Sequence, residues 1–175
     1  VSHQMGDPPA INASQNGEID AIGGRAPGGG ASSADRLKIV RAMDGVQLRI
    51  GYSMQTNVFT YNGTAGALKD IAVRKAISQG FDYDTWIKIA YQGVDWDPER
   101  PGSEILQPFQ EGYENNLPED VQKLDVEGAK KTLEDAGYTM GEEYYEKDGE
   151  TLHITYTYFG DDATQTAMAN AYQQM

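Results

Sequence analysis

The stretch from Gly66 to Gly93, GALKDIAVRKAISQGFDYDTWIKIAYQG, constrains this chain more than any other. Leu68, Ile71, Ala72 and Ala76 recur at helical spacing, and Val73 and Ile77 widen the apolar stripe. So broad a stripe predicts a helix covered by at least one further layer rather than one lying on a surface. Gly80 follows the last periodic residue, and Asp82 can accept from the free N–H groups of a second helix. Trp86, Ile89 and Ala90 would form the inner face of that helix until Gly93 stops it. The expectation is a core helical hairpin with no catalytic role.

A chain of 175 residues can hold one domain with its own core, or be a piece of a larger one. It starts without Met and stops at Gln173-Gln174-Met175 inside an expected helix, so we read it as a segment cut from a longer protein. Lys and Arg number 14 against 27 acids, a formal charge of -13, and no basic stripe forms, which argues against nucleic acid as a partner. The acidic balance reads as a solvated surface. With no cysteine there is no disulfide framework, thiolate metal site or cysteine nucleophile. No apolar run approaches the ~18 residues that span a bilayer.

In chain order, Asp7-Pro8-Pro9 opens a helix that ends near Asn16-Gly17, and Glu18 to Ile22 reads as a short strand. The loop from Gly23 to Ala31 sits between a strand and a helix, where phosphate cradles occur. It has no GxGxxG register and no following Lys, so we read it as a surface connection. A helix from about Ser33 to Met43 precedes Val46 to Asn62, whose alternation predicts one bent strand or two strands meeting near Gly51. Asn12-Ala13-Ser14 and Asn62-Gly63-Thr64 match a glycosylation pattern too short to carry weight.

Residues 94–124, rich in Pro, Gly and acids, predict a long irregular surface connection, with Trp96 and Phe109 pinning it to the core. Asp95, Asp97 and Glu99 alternate as in a calcium loop, but Arg100 and Leu106 occupy the positions where Gly and Glu are needed. Asp125 caps a helix through Asp135 with Val126, Ala129, Leu133 and Ala136 facing inward and Gly137 as its stop. Asp148-Gly149 between Tyr144-Tyr145-Glu146 and the run from Thr151 is a hairpin signal. In that run Leu152, Ile154, Tyr156 and Tyr158 share one face, opposite Thr151, His153, Thr155 and Thr157. A helix follows from about Ala163. The fold class is α/β, a mixed sheet built near Glu18, Val46, Val58 and Leu152 with helices packed on it.

Catalytic and metal constellations are missing from the pattern. The only histidines, His3 and His153, have no ligand spacing and no nucleophile partner, and Asp161-Asp162 are adjacent carboxylates that diverge rather than flank one bond. We therefore expect no enzyme, no cofactor and no metal.

Several pieces, in order, resemble the dipeptide/oligopeptide-binding family (family 5) of extracellular solute-binding proteins of ABC importers. GEIDAI resembles the family's G-E-I-D strand. LKDIAVRKAISQGFDYDTWIKIAYQG resembles its F-x-D-x-x-V-R-x-A-I signature, with Leu68-Lys69 in place of the usual Pro-Phe before Asp70. LDVEGAKKTLEDAGY resembles its D-x-x-K-A-K-x-L-L-x-E-A-G-Y, followed by the strand LHITYTYF and a helix. The resemblance implies one lobe of a periplasmic-binding-protein-like (type II) fold, residues 1–175 being a single α/β domain and part of the C-terminal lobe. It implies binding without catalysis: two lobes close over a short peptide or other small solute, which passes to ABC permease subunits. The partners would be that solute, the remaining lobe and the permease, and the location extracytoplasmic, periplasmic or lipid-anchored to the outer face of the membrane. By position in the family, Phe159 would be an apolar wall of the cleft, Gly160 would permit close approach, and Asp161 and Asp162 would attract a cationic group. Asp161 or Asp162 capping the next helix is an equally open reading. A surface interaction or sensory module that kept the fold without transport is the alternative function.

Overall fold

The computed structural model describes residues 7–22, 37–49, 58–90, 100–158 and 163–175. In chain order its elements are α1 (Asp7–Gln15), α2 (described over 37–41), α3 (Ile71–Gly80), α4 (Tyr83–Ala90), α5 (Val126–Asp135), β1 (Thr139–Met140), β2 (Tyr145–Lys147), β3 (Glu150–Thr151) and α6 (Ala163–Gln174). A 3-10 turn over Gly66–Lys69 leads into α3, and another, Glu119–Val121, precedes α5.

The helical pair forms as its caps dictate. The Asp70 carboxylate accepts from Ala72 N at 2.9 Å at the start of α3. Asp82 does the same for α4, accepting from Thr85 N at 3.0 Å and Thr85 Oγ1 at 2.6 Å. Gly93 lies outside the described residues. The buried face of α3 is rotated from the expected stripe. Val73, Ala76 and Gln79 are buried, while Ile71 is 72% exposed. Asp70 explains the rotation: as N-cap it places Ile71 in the first turn, beyond the reach of the covering layer. On α4 the buried residues are Ile87 and Ala90, with Trp86 and Ile89 half-buried.

The covering layer is α5, packed along α3. Val73, Ala76, Leu133 and Tyr138 form the core, with Leu68, Ile77, Ala129, Ala136, Tyr145 and Leu152 packed around it. Gln79 is the buried polar residue in this interface, and both its ends are used. Its Oε1 accepts from Thr132 Oγ1 at 2.8 Å and its carbonyl from Asp125 N at 2.8 Å, which fixes α5 against the end of α3. Asp125 caps α5 by accepting from Gly128 N at 2.8 Å. The helix ends on Gly137 at φ +89°, with Tyr138 N donating to Leu133 O and Gly137 N to Glu134 O. In this αL stop Tyr138 also packs on Leu133, three links of one motif from sequence to core. Val126, expected to face inward, is exposed. It stands in the first turn, ahead of the crossing, so α5 buries only Leu133 fully and covers Ala129 and Ala136 in part.

Among the described residues the sheet has three antiparallel strands in the order β1-β2-β3. Glu146 opposes Thr151 and Lys147 opposes Glu150 across the Asp148-Gly149 turn, both of whose residues have positive φ, 55° and 80°. That is the primed turn the pair favours. β1 adds a strand that the sequence pattern did not mark.

The larger strands expected near Glu18, Val46, Val58 and Leu152 are not laddered within the described residues. Glu18 to Ile22, 46–49, 58–62 and 152–158 carry no strand assignment, and 50–57 lie outside the description. Leu152 N still donates to Tyr145 O at 2.7 Å, but beyond it the run leaves the hairpin. Alternation fixes which face a residue prefers; a ladder also needs a neighbour, and none of the described segments provides one here.

Residues 100–124 fold back on themselves. Gly102 N donates to the Tyr113 hydroxyl at 2.9 Å, Asn116 N to Gly102 O at 2.9 Å and Asn115 Nδ2 to Arg100 O at 3.2 Å. Two groups tie this segment to the helices, the Lys75–Asp120 ion pair at 2.5 Å and Arg100. Arg100 Nη1 donates to the carbonyls of Val121 and Ser78, and its Nη2 to Phe81 O at 2.8 Å. Phe109, expected as an anchor, is exposed, and Trp96 lies outside the described residues. The corner between α3 and α4 presents carbonyls that need donors, and the guanidinium supplies them.

Candidate functional site

Phe159, Gly160, Asp161 and Asp162 lie outside the described residues. The structure describes what stands on either side of them, the run 152–158 and α6, and these meet in an aromatic cluster. Tyr172, on the inner side of α6, is its centre. Phe59 meets Tyr172 edge-on at 5.1 Å between centroids, Phe81 stacks on it at 5.7 Å, and Tyr156 tilts against it at 4.5 Å. Tyr158 continues the wall, stacked on Tyr156 at 6.3 Å and 11°. Phe81 also meets Phe59 at 5.1 Å and Trp86 at 6.4 Å, which joins the cluster to the α3–α4 corner.

Each position follows from local structure. Tyr156 and Tyr158 are two apart on an extended run, so their rings leave the same side. Tyr172 is one turn beyond Met168, the buried residue of α6, and faces α4 with it. Phe81 occupies the corner left when α3 ends, where Arg100 lies 5.5 Å over its ring and 5.4 Å over that of Tyr83. One face of Phe81 is thus committed to an internal cation.

The cluster has a closed floor and an open rim. Burial, and then the neighbouring Tyr156, push the Tyr172 hydroxyl far above the ordinary tyrosine range, so it stays protonated. Burial likewise lowers the Arg100 guanidinium somewhat, against the opposing pull of Tyr83 and Asp84. Phe59, Tyr156 and Tyr158 are 40%, 43% and 41% exposed, so each keeps part of its ring on the surface around Tyr172. Such a surface can stack on planar or apolar groups and offer tyrosine hydroxyls for hydrogen bonds. Proton transfer needs a poised base, and His153 is exposed on the opposite side of the run, its Nε2 3.5 Å from Thr155 Oγ1.

The face shared by Tyr156 and Tyr158 was readable from their spacing. Their convergence with Phe59, Phe81 and Tyr172 was not, because those residues come from segments with no local pattern linking them. A second concavity, an open groove of about 700 Å³, lies at the other end of the run. Ile154, Leu152 and Met140 give it an apolar floor, with Lys130, Glu134 and Glu143 at the rim. Among the described residues no group of three or more His, Asp or Glu could hold a metal, and no helix is long and apolar enough to cross a membrane.

The described residues thus combine helices, a small sheet and a partly exposed aromatic cluster. The chain belongs to the bacterial extracellular solute-binding proteins, family 5, whose middle-region model matches residues 4–175. That is a family of solute-binding proteins, not of enzymes. The chain is 30% identical over 162 residues to the oligopeptide-binding protein OppA of Mycobacterium bovis and to that of Mycobacterium tuberculosis, covering 92% of this chain and 26% of each relative. It therefore spans about a quarter of the length of those relatives. Among solved structures it is similar to NikA from Brucella suis in complex with Fe(III)-EDTA, at 31% identity and a TM-score of 0.50, over 65% of this chain and 22% of NikA. The fold is accordingly that of a type II periplasmic-binding-protein lobe.

Proposed function

We propose that these residues belong to the solute-binding component of an ABC importer, which closes two lobes over a short peptide and delivers it to permease subunits. The observation that carries this reading is the family match over residues 4–175, joined to relatives at 30% identity that are oligopeptide-binding proteins. Residues 1–175 then form part of the C-terminal lobe, with 94–124 crossing its surface, and the whole protein works outside the cytoplasm on a lipid anchor or free in a periplasm. Closure follows from the solute binding the closed state better than the open one. Phe159 is an apolar wall and Gly160 a point of close approach, while Asp161 and Asp162 draw the cationic amino group of the peptide. The exposed rings of Phe59, Tyr156 and Tyr158 offer the solute further stacking surface.

Titration calorimetry of the full-length protein against short peptides tests the reading. Dissociation constants of micromolar or tighter, about -8 kcal/mol, are expected for peptides, with a more compact form in X-ray scattering on binding. The relative solved with Fe(III)-EDTA favours a second reading, a metal chelate as solute, so chelates belong in the same titration. Binding of a chelate and not of peptides selects that reading; binding of neither leaves the sensory or interaction module. Replacing Asp161 and Asp162 with Ala should weaken peptide affinity, and unchanged affinity removes those two residues from the site.

A further inference from the structure

The sequence contains two Asn-Gly pairs, Asn16-Gly17 and Asn62-Gly63. We propose that Asn62-Gly63 is a site of spontaneous deamidation through a succinimide, and that Thr64 acts on it as an oxyanion hole. The geometry around the Asn62 side-chain carbonyl carries the proposal. Its Oδ1 accepts from Thr64 N at 3.1 Å and from Thr64 Oγ1 at 2.7 Å. Asn62, Gly63 and Thr64 are all exposed, so water and base reach them.

In the reaction the Gly63 nitrogen gives its proton to solvent base and attacks Asn62 Cγ, forming a C–N bond. Negative charge collects on Oδ1, where the two Thr64 donors already point. Hydrogen bonds to that oxyanion are stronger than those to the neutral amide, so they lower the barrier rather than only stabilising the ground state. Nδ2 takes up a proton and leaves as ammonia. Water then opens the ring at either carbonyl, giving Asp or isoaspartate at 62. The sum is amide plus water to carboxylic acid plus ammonia, with no oxidation or reduction.

Asn16-Gly17 is the internal comparison. There Asn16 uses its side-chain amide as a donor, to Glu18 Oε1 at 3.1 Å, and a carboxylate beside the amide opposes a developing oxyanion. Gly17 is held in the stop of α1 at φ +72°, its N–H on Ser14 O at 3.1 Å. The Gly63 N–H is likewise engaged, on Tyr61 O at 3.0 Å, so the two sites differ at the side-chain amide, where Thr64 donates to Asn62 Oδ1 and Glu18 faces Asn16. Conversion at 62 would replace a neutral amide by a carboxylate at the residue before Gly63. The isoaspartate form would also lengthen the main chain between Phe59 and α3.

The test is incubation of the native full-length protein in mildly alkaline buffer, with peptide mass mapping and enzymatic methylation of isoaspartate read at 62 and 16. Asn62 should convert several-fold faster than Asn16, and denaturant should bring the two rates together. Thr64→Val should slow conversion at 62 several-fold and Thr64→Ser should keep it fast. Gly63→Ala should slow it further, and this variant folds, since the new Cβ meets only an ordinary contact. Equal rates at 62 and 16 in the native protein overturn the proposal. An unchanged rate in Thr64→Val overturns the role of Thr64.

Discussion

Two charged side chains decide local geometry. Asp70 caps α3 and also accepts from Lys147 Nζ at 3.2 Å and Tyr138 Oη at 3.4 Å, so a single carboxylate joins α3, the end of α5 and β2. The Ala72 N–H chiefly, and then Lys147, hold it below the ordinary carboxylate value. Its stabilisation is therefore complete above the unfolded value of about 3.9 and fades as pH falls through the lower folded value. Asp70→Ala should cost about 1–2 kcal/mol at neutral pH in urea melts of the full-length protein, and the gap to wild type should close in strong acid. Asp70→Asn, which can still cap, should lose less. Arg100 shows what a sequence conceals. In the string it is the residue that spoils a calcium loop; in the fold its donors satisfy the carbonyls of Ser78, Phe81 and Val121. Arg100→Met should cost about 2–3 kcal/mol by the same melts, because these are charge-assisted bonds and their acceptors would be stranded. Lys, a single point donor, should recover only part of it.

At the scale of elements, legibility followed the range of the physics. Caps and stops are decided within a few residues, so Asp82, Asp125, Gly137 and the Asp148-Gly149 turn stand where the pattern puts them, whereas Asp70 starts α3 later than the stripe from Leu68 implies. The buried faces of helices depend on how the partner crosses. That is why Ile71 and Val126, both in first turns, proved exposed although their spacing was right. Strands depend on neighbours and were read worst: 152–158 has the clearest alternation in the chain, yet only its hydrogen bond from Leu152 joins the hairpin. The aromatic cluster depends on contacts between distant segments, which no local pattern encodes. Gly137 and Gly149, both at positive φ, offer a matched test. Gly137→Ala, at φ +89° in a stop whose next residue belongs to the core, should destabilise by about 1 kcal/mol or more. Gly149→Ala, at φ +80° in an exposed turn, pays a similar backbone cost but disturbs no core contact, so thermal melts should rank it the milder.

For the whole molecule, Tyr156 and Tyr158 of the aromatic edge follow Leu152 and Ile154 of the groove along one extended run, and Tyr158 directly precedes the candidate loop in sequence. Tyr158→Ala in the full-length protein should weaken solute binding by about 1–2 kcal/mol, whereas Tyr144→Ala at the groove should leave it unchanged. Equal effects would separate the aromatic cluster from recognition. The Arg100 tie has a further consequence in time. The core joins α3 to α5, which are far apart in the chain, and bringing such elements together must first overcome the entropy of closing the loop between them. Arg100 lies partway along that loop and grips both of its ends, at Ser78 and at Val121. A chain that makes this grip early replaces one long closure with two shorter ones. Arg100→Met should then slow refolding as well as hasten unfolding in chevron measurements, whereas Asp70→Ala, acting at a helix start away from the loop, should act mainly on unfolding. A residue that looks like fastening in the finished structure would thus also set the order in which the structure is made.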